Sequence, residues 1–300
     1  MTSPQTQASS EPHNLKCLEV WGGSSSADHA ASVPGLDISV CSRPVEGSES
    51  GGDLYLISSC SSGWISRILL ADVSGHGNDV SHLSSKLRKE MHKSLNTVDQ
   101  SKLARRLNNA FEDISGGSKF ATALLMTYFA PSGHLIFVNA GHPPPLLRRS
   151  GSSEWIQIDQ STPGVLTDPT NDLRIGIKNL PLGVIKSTEY EQLAIKIEHG
   201  DLICAYTDAF IEAQSTDGSL LGVNGLTNAL TTVDAETSAD ISKGILSELT
   251  TQGFDHAEDD HTMLILHHNG QHKPSIGITT FANLVKNSLG FGHTDTVVTA

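Results

Sequence analysis

The chain has 300 residues, a formal net charge of −13 and 37% hydrophobic residues, so it can bury a core in one large domain or two small ones. The acidic balance argues against a nucleic-acid partner, and the sequence contains no polybasic patch that would bind an anionic membrane. No apolar run approaches the roughly 18–20 residues of a membrane span, and the N-terminus lacks the pattern of a signal peptide. We therefore expect a cytoplasmic protein whose four scattered cysteines stay reduced.

Composition divides the chain into three segments. Residues 1–34 are rich in Ser, Gln, Ala, Pro and Gly, which predicts a disordered N-terminal tail. Residues 35–268 carry nearly all of the apolar periodicity and form the predicted folded domain. Residues 269–300 are predicted to be a polar C-terminal tail with one weak helix at 281–289.

A hairpin is predicted near the start of the domain. Apolar runs at residues 54–60 and 65–73 are joined by a short Ser-Ser-Gly connection, which favours antiparallel pairing. Such pairing brings the start of the first strand next to the end of the second. Asp53 and Asp72 would therefore lie at the same edge of the sheet.

Two helices are predicted after this hairpin, where apolar residues recur at three- and four-residue spacing. The first begins at Asn78, where Asn78 and Asp79 can cap it. The second covers residues 101–114 and ends at the glycine pair that starts with Gly116.

The second half of the domain is predicted to contain another hairpin. Residues 193–197 and 201–206 are extended runs that would pair through a His199-Gly200 turn. The other predicted elements are strands at residues 36–40, 120–129, 134–140 and 262–267, and helices at residues 209–213, 224–231 and 238–250.

Acidic residues recur where the predicted strands begin or end. They are Asp53, Asp72, Asp208 and Asp259, with Asp260 beside the last of them. Carboxylates that crowd together raise each other's pKa, so such clusters usually hold cations. An all-oxygen ligand set selects hard ions such as Mg²⁺ or Mn²⁺ over zinc.

Short motifs spread along the domain occur in a recognisable order. They are Gly51-Gly52-Asp53, Ala71-Asp72-Val73-Ser74-Gly75-His76-Gly77, Phe120-Ala121-Thr122-Ala123, Asn139-Ala140-Gly141-His142-Pro143-Pro144, Pro181-Leu182-Gly183, Tyr206-Thr207-Asp208 and Asp259-Asp260-His261-Thr262. From about residue 36 to 268, the chain resembles the PP2C-type serine/threonine phosphatase domain of bacterial stress and sporulation regulators, the SpoIIE-like or RsbU-like group.

The resemblance implies an α+β fold, a sandwich of two antiparallel sheets flanked by helices, with a site for two Mn²⁺ or Mg²⁺ ions at one sheet edge. It implies that Asp72 bridges both ions and that the Val73 carbonyl faces one of them. Asp208 and Asp259 would complete the shell of the second ion, and Asp53 would support the first. The residues that carry catalysis would be Asp72, Asp208 and Asp259, with Asp260 as the alternative to Asp259.

The same resemblance implies hydrolysis of phosphoserine or phosphothreonine by a metal-bound water. The expected substrate is a small anti-anti-sigma-factor-like regulatory protein, and a separate activator or sensor protein is a possible second partner. Two alternatives stay open: a pseudophosphatase that only binds a phosphoprotein, and a phosphohydrolase for small molecules. One departure from the family pattern is Ala209, which stands where the family has glycine and requires an ordinary backbone conformation.

Overall fold

Two seven-stranded sheets form the body of the protein. The structure is a computed structural model, and it describes residues 12–15, 19–59, 63–168, 176–233, 238–255 and 259–271. The strands are β1 (His13–Asn14), β2 (Val20–Gly23), β3 (Ala27–Val33), β4 (Leu36–Arg43), β5 (Leu54–Ser59), β6 (Ile65–Val73), β7 (Ala121–Phe129), β8 (His134–Ala140), β9 (Leu146–Arg148), β10 (Trp155–Gln157), β11 (Val165–Thr167), β12 (Gln192–Lys196), β13 (Leu202–Tyr206), β14 (Gln214–Ser215), β15 (Phe254–Asp255) and β16 (His261–His268).

The strand order identifies how each sheet is built. The first sheet has the order β1-β3-β4-β16-β13-β9-β10, and the second has the order β11-β12-β8-β7-β6-β5-β2. Neighbouring strands in both sheets run antiparallel except for the short β1–β3 pair, which is parallel. Strands β14 and β15 form a small separate pair.

Apolar residues on alternate positions of each strand produce three core layers. One layer lies between the two sheets and includes Leu70, Leu124 and Leu264. A second layer lies between the outer face of the second sheet and helices α1 (Asn78–Lys93) and α2 (Gln100–Ser115). The third lies between the first sheet and the remaining helices, α3 (Ala209–Glu212), α4 (Gly222–Thr232) and α5 (Ser238–Thr251).

This arrangement confirms the expected sandwich of two antiparallel sheets with helices outside. The first predicted hairpin is also confirmed, since Leu54 pairs with Ala71 in an antiparallel ladder. Helix α2 ends as expected at Gly116, which takes a left-handed conformation with φ 62°. None of the helices in the described residues is both long and apolar enough to cross a bilayer.

The prediction of a disordered tail over residues 1–34 is wrong for its second half. Strand β3 pairs with β4 along its whole length, and β2 pairs with β5 at the edge of the other sheet. Their small and polar residues show little apolar alternation, so the sequence pattern did not indicate strands. Pairing with apolar neighbours supplies the stabilisation that the segment lacks by itself.

The second predicted hairpin is also wrong. Strand β12 pairs with β8 in the second sheet, whereas β13 pairs with β16 and β9 in the first sheet. The turn at Gly200 therefore carries the chain from one sheet to the other. Local extended patterns cannot distinguish such a crossover from a hairpin, because both place two strands around a short turn.

Helix α1 begins without the side-chain cap that the sequence predicts. Its N-cap residue is Gly77, with φ 62°, and no side chain caps the first turn. The predicted C-terminal helix at residues 281–289, Cys17 and Cys60 lie outside the described residues. Cys41 and Cys204 are buried free thiols, consistent with reduced cysteines.

Candidate metal centre

Four strand ends meet at one end of the sandwich. In the second sheet, the pairing of Leu54 with Ala71 places Asp53 across from Asp72. In the first sheet, Tyr206 pairs with Met263, so the residues after β13 and before β16 share an edge. These are Asp208, Asp259 and Asp260. The strand pairing therefore places Asp53 and Asp72 together at the edge of one sheet, and Asp208 and Asp259 together at the edge of the other.

A hydrogen bond joins the two sheet edges at the site. The Thr207 hydroxyl donates to Oδ2 of Asp53 over 2.9 Å. The same hydroxyl accepts from the Thr262 backbone N–H at 2.9 Å. Thr207 thus ties the start of β5 to the first sheet, and it orients the Asp53 carboxylate. The sequence analysis did not single out Thr207, although it lies within the motif that contains Asp208.

Asp53 is a buried carboxylate with one unused oxygen. Its side chain is 3% exposed, and Oδ1 is buried without a hydrogen-bond partner. Burial raises the pKa of Asp53 well above its ordinary value, and the charge of Asp72 raises the pKa further. A buried, unpartnered carboxylate oxygen is a position at which a cation would be stabilising.

Asp72 lies at the centre of the acidic group. Burial is the largest cause of its raised pKa, followed by the charges of Asp208 and Asp259. The pKa values of Asp208 and Asp259 are also raised, in both cases mainly by burial. The three carboxylates therefore repel one another at close range.

Glu212 is a further acidic residue that the sequence analysis missed. It lies in α3 one turn after Asp208, and its charge raises the pKa of both Asp208 and Asp72. The spacing of four residues between Asp208 and Glu212 on a helix would have indicated this proximity. Ala209 belongs to the same helix, so it has the ordinary backbone conformation that its side chain requires.

Asp260 differs from Asp259 in its contacts. Its Oδ1 accepts from the backbone N–H of Val45 at 2.7 Å, and its Oδ2 accepts from Gly52 at 2.7 Å and from Gly77 at 2.9 Å. Both oxygens are thus occupied by backbone donors from three segments of the chain. Asp259 is exposed as a residue, but its carboxylate is desolvated enough for its pKa to be raised, and it is close enough to Asp208 for their charges to interact.

The glycine pair before Asp53 allows this close packing. A Cβ atom on Gly51 would lie 2.3 Å from the Asp260 carboxylate, and one on Gly52 would lie 2.7 Å from the Val73 carbonyl oxygen. Neither position has room for a side chain. The two glycines therefore let the backbone pass between Asp260 and the end of β6.

The histidines of two of the motifs, His142 and His76, have different surroundings. His142 is buried, with Nδ1 2.9 Å from the Thr122 hydroxyl, and burial lowers its pKa to about 3. It is thus a neutral packing residue of the loop after β8. His76 is exposed in the turn before α1, and its charge lowers the pKa of Asp259 slightly.

The donor chemistry of the site fits a hard divalent cation. The side-chain donors are all carboxylate oxygens, and the buried Oδ1 of Asp53 forms no hydrogen bond, although the Thr262 side chain is close enough to the carboxyl to lower its pKa. Within the described residues, no three His, Cys, Asp or Glu side chains are already spaced around a common metal position. The oxygen donors and the mutual repulsion of the carboxylates are the features that a bound divalent cation would match.

Comparison with known proteins agrees with this geometry. Residues 65–269, more than half of the chain, match the family model described as Stage II sporulation protein E (SpoIIE). The phosphoserine phosphatase RsbU of Bacillus subtilis (strain 168) is 23% identical over 155 residues, which are 51% of this chain and 41% of that protein. The match thus spans less than half the length of this relative.

Solved structures share the fold. The RsbU and RsbW domains of a Mycobacterium tuberculosis protein superpose with a TM-score of 0.63 at 22% identity, covering 81% of this chain and 63% of that chain. RsbX in complex with magnesium superposes with a TM-score of 0.58 at 15% identity, covering 80% of this chain and 99% of that chain. At these identities the structures establish the fold, and the family match confirms the resemblance seen in the motifs. The chain therefore belongs to the SpoIIE family, as a PP2C-type serine/threonine phosphatase domain of the RsbU and SpoIIE kind.

Proposed function

We propose that this chain is an active, metal-dependent phosphatase that hydrolyses phosphoserine or phosphothreonine in a regulatory protein. The observation that carries the proposal is the convergence of Asp53, Asp72, Asp208 and Asp259, whose pKa values are all raised by burial and, for all but Asp208, by one another. A protein that only bound a phosphate group would gain nothing from these acidic side chains, because they repel an anion.

Each acidic residue has a distinct role in this proposal. The family resemblance implies that Asp72 would hold both cations, and the interaction of its charge with residues of both sheets supports this role. Asp208 and Asp259 would hold a second cation with Asp72, and Asp53 would support the first through its Oδ1, together with the Val73 carbonyl. The hydrogen bonds support Asp259 as the ligand of the pair, since Asp260 accepts three backbone N–H groups from distant segments, whereas Asp259 accepts only the neighbouring Asp260 N–H on Oδ1.

Two Mn²⁺ or Mg²⁺ ions, when bound, would neutralise phosphate oxygens and lower the pKa of the attacking water. The residues of the chain itself hold the carboxylates in position. Thr207 holds the Asp53 carboxylate, and Asp260 holds the backbone of Gly52, just before Asp53, and of Gly77, in the turn after Asp72. The burial of Asp53 and Asp72 keeps solvent from screening their charges.

The names of the relatives support a proposal for the substrate class. The curated relative is a phosphoserine phosphatase, and the fold neighbours include domains named RsbU, RsbW and RsbX. We propose a small phosphorylated regulatory protein of the anti-anti-sigma-factor type as substrate, with a separate activator or sensor as second partner and the cytoplasm as location. The alternative is a pseudophosphatase, which would bind the same phosphoprotein without turnover.

The test is turnover of a phosphoserine peptide with added Mn²⁺ or Mg²⁺, and its loss in EDTA. Asp72→Asn should reduce kcat about 100-fold or more, because a bridging carboxylate organises ions that supply several kcal/mol of transition-state stabilisation. Asp208→Asn and Asp259→Asn should behave similarly. Asp113→Asn is the matched control, since Asp113 is an exposed surface residue paired with Lys186.

The folded state is checked by circular dichroism and thermal unfolding. Metal-free Asp72→Asn should unfold at the wild-type temperature or above it, because the substitution removes repulsion among the buried carboxylates. Full wild-type turnover in chelator would contradict the proposed chemistry. Peptide binding without any turnover at saturating metal would favour the pseudophosphatase.

A further inference from the structure

A cavity of about 400 Å³ lies at the end of strand β6 that is farther from the metal centre. Its volume is within the range of roughly 300–1,000 Å³ that small-molecule sites occupy. Strands β2, β5 and β6, the last turn of α1 and the connection from α1 to α2 form its walls. Arg67, which lines the cavity, precedes Asp72 by five residues, or about 17 Å along an extended strand. The cavity is therefore separate from the carboxylate group.

Strand register places a row of side chains on one wall of the cavity. Val20 pairs with Ser58 across β2 and β5, and Ser58 pairs with Arg67 across β5 and β6. Arg67 in turn pairs with Thr127 of β7. Directly opposite residues of antiparallel strands share a face, and Val20 packs against the core layer beneath α1 and α2. The row therefore faces the helices, and Ile65, two residues before Arg67, lies on the same face.

Arg67 brings a buried positive charge to this wall. The residue is 4% exposed and lines the cavity. Its Nη1 donates to the Thr127 hydroxyl, and its Nη2 donates to the Thr97 carbonyl. These two acceptors fix the orientation of the guanidinium group, and both are neutral, so neither compensates its charge. An anionic group in the cavity would be stabilised by Arg67, because water screens a buried charge less than an exposed one.

The residues around Arg67 leave the cavity wall without negative charge. None of the described residues that line the cavity is acidic, although the chain has a net charge of −13. On the helix side, the acidic residues closest in sequence to the wall are Glu90 and Asp99. Each pairs with a lysine three residues further along the chain, at 2.6 and 3.8 Å. The charge at the wall therefore favours an anion over a cation.

Apolar side chains line the wall that faces the sheet. Leu95 and Val98 lie in the connection between α1 and α2, and Val98 is 48% exposed. The residue between them, Thr97, is held at both backbone groups: its N–H donates to the Ser94 carbonyl at 2.9 Å, and its carbonyl accepts from Arg67. A wall fixed in this way needs little ordering when a ligand binds, which favours affinity.

We propose that this cavity binds a small organic anion with an apolar body, with its charged group at Arg67 and its body against Leu95 and Val98. Arg67 is the only described lining residue that carries a charge at every ordinary pH, which favours a ligand with a single charged group, such as a monocarboxylate. The guanidinium fork is suited to the two oxygens of a carboxylate. This inference does not depend on the proposed phosphatase function.

Hexanoate is the probe for this site, and hexan-1-ol is its neutral match. We expect hexanoate to bind the full chain with a Kd on the order of 1 mM, which a ligand of this size can reach. Hexan-1-ol should bind at least about 10-fold more weakly, because it lacks the charge-assisted hydrogen bonds to Arg67. NMR chemical shifts follow both titrations in EDTA, which prevents the carboxylate probe from binding to a metal ion.

Substitutions of the exposed Val98 test the charge preference without disturbing the core. Val98→Asp places a negative charge at the cavity and should weaken hexanoate binding by about 10-fold. Val98→Asn has nearly the same shape without the charge and should have a clearly smaller effect. Val184→Asp is the matched control, because Val184 is 46% exposed and does not line the cavity.

Two variants of Arg67 address the buried charge directly. Arg67→Met should abolish the preference for hexanoate over hexan-1-ol, whereas Arg67→Lys keeps a positive charge and should retain part of it. Circular dichroism and thermal unfolding establish whether these variants fold. If they do not fold, the Val98 variants decide the question by themselves.

The outcomes that would overturn the proposal are distinct from a failure of the phosphatase function. Equal affinity for hexanoate and hexan-1-ol would exclude recognition of the charge, as would equal effects of Val98→Asp and Val98→Asn. Hexanoate-dependent shifts confined to the surroundings of Asp72 would place the binding at the carboxylate group instead. No binding at millimolar hexanoate would exclude the anion site altogether. None of these measurements depends on turnover.

Discussion

Gly51 has no room for a side chain although its backbone conformation is ordinary. A Cβ atom there would lie 2.3 Å from the Asp260 carboxylate, which is held by three backbone donors and cannot move away. We expect Gly51→Ala to lower the free energy of unfolding by about 1–3 kcal/mol, as overpacking does. Chemical denaturation measures this change.

Gly23 provides the matched control for Gly51. It also has an ordinary conformation, but the nearest atom to its Cβ position is the Ser25 nitrogen at 3.8 Å. Gly23→Ala should therefore change the free energy of unfolding by less than about 0.5 kcal/mol. Equal destabilisation by both substitutions would show that the close approach to Asp260 is unimportant.

His142 makes the stability of the protein depend on pH. Burial lowers its pKa to about 3 in the folded state, whereas the unfolded chain has a pKa of about 6.5. Between these values the unfolded state binds a proton that the folded state does not bind. The contribution of His142 to the free energy of unfolding is therefore complete above pH 6.5. It is lost as the pH falls, by up to about 1.4 kcal/mol per pH unit.

The variant His142→Gln isolates this contribution. We expect the loss of unfolding free energy between pH 6.5 and pH 5.5 to be smaller in the variant by about 1 kcal/mol. Urea titrations of the wild type and the variant at the two pH values give the four free energies of unfolding that the comparison needs. Because the comparison uses pH dependence, it holds even if the substitution itself lowers stability. Identical pH dependence would show that His142 is protonated without cost.

At the scale of elements, helix α1 is attached to the site at two points. The Gly77 N–H at its start donates to Asp260 at 2.9 Å, and the buried Ser84 hydroxyl donates to the Gly52 carbonyl at 2.8 Å. The turn that leads into α1 also follows Asp72 directly. The position of α1 is thus coupled to the backbone that carries Asp53 and Asp72. A partner protein that moved α1 would therefore also move these two residues.

Ser84→Ala tests this coupling. Loss of the hydrogen bond should cost about 1 kcal/mol of stability. It should raise the Mn²⁺ concentration for half-maximal activity by about 10-fold, as for other residues that support metal ligands. Ser85→Ala, on the exposed side of the same helix, should change neither quantity. A loss of stability with an unchanged Mn²⁺ requirement would show that α1 only covers the sheet and does not affect the metal site.

At the scale of the whole molecule, the N-terminal segment belongs to both sheets. Strand β3 extends the first sheet beside β4, and β2 closes the edge of the second sheet beside β5. A chain that begins at residue 35 would lose both strands and the buried Val33, whose burial contributes about 1.5–3 kcal/mol by itself. It would also expose β4 as a new edge.

Two truncations distinguish a structural segment from a tail. The chain that begins at residue 35 should lose its cooperative thermal transition or precipitate. The chain that begins at residue 12 retains every described strand and should unfold at the temperature of the full chain. Calorimetry of both is sufficient, and a stable, cooperative fold from residue 35 would show that β2 and β3 are dispensable.

Local patterns in the sequence were sufficient to predict much of the fold and to propose members of the candidate metal centre. Alternating apolar runs identified the β5–β6 hairpin, and helical spacing identified α1 and α2 within a few residues. The positions of acidic residues at strand ends predicted Asp53, Asp72 and Asp208 as candidate ligands. These features depend on residues close together in the chain. Helices and strands have fixed side-chain periods, so their buried faces appear in the sequence as regularly spaced apolar residues.

Only the tertiary structure decided which distant segments pair. It placed β12 and β13 in different sheets, added β2 and β3 to the sheet edges, and joined the edges through Thr207 and Asp53. It also distinguished Asp260, with three backbone donors, from the exposed Asp259, although the two are adjacent identical residues. Such distinctions depend on contacts between residues far apart in the chain, for which the local sequence carries no periodic signal.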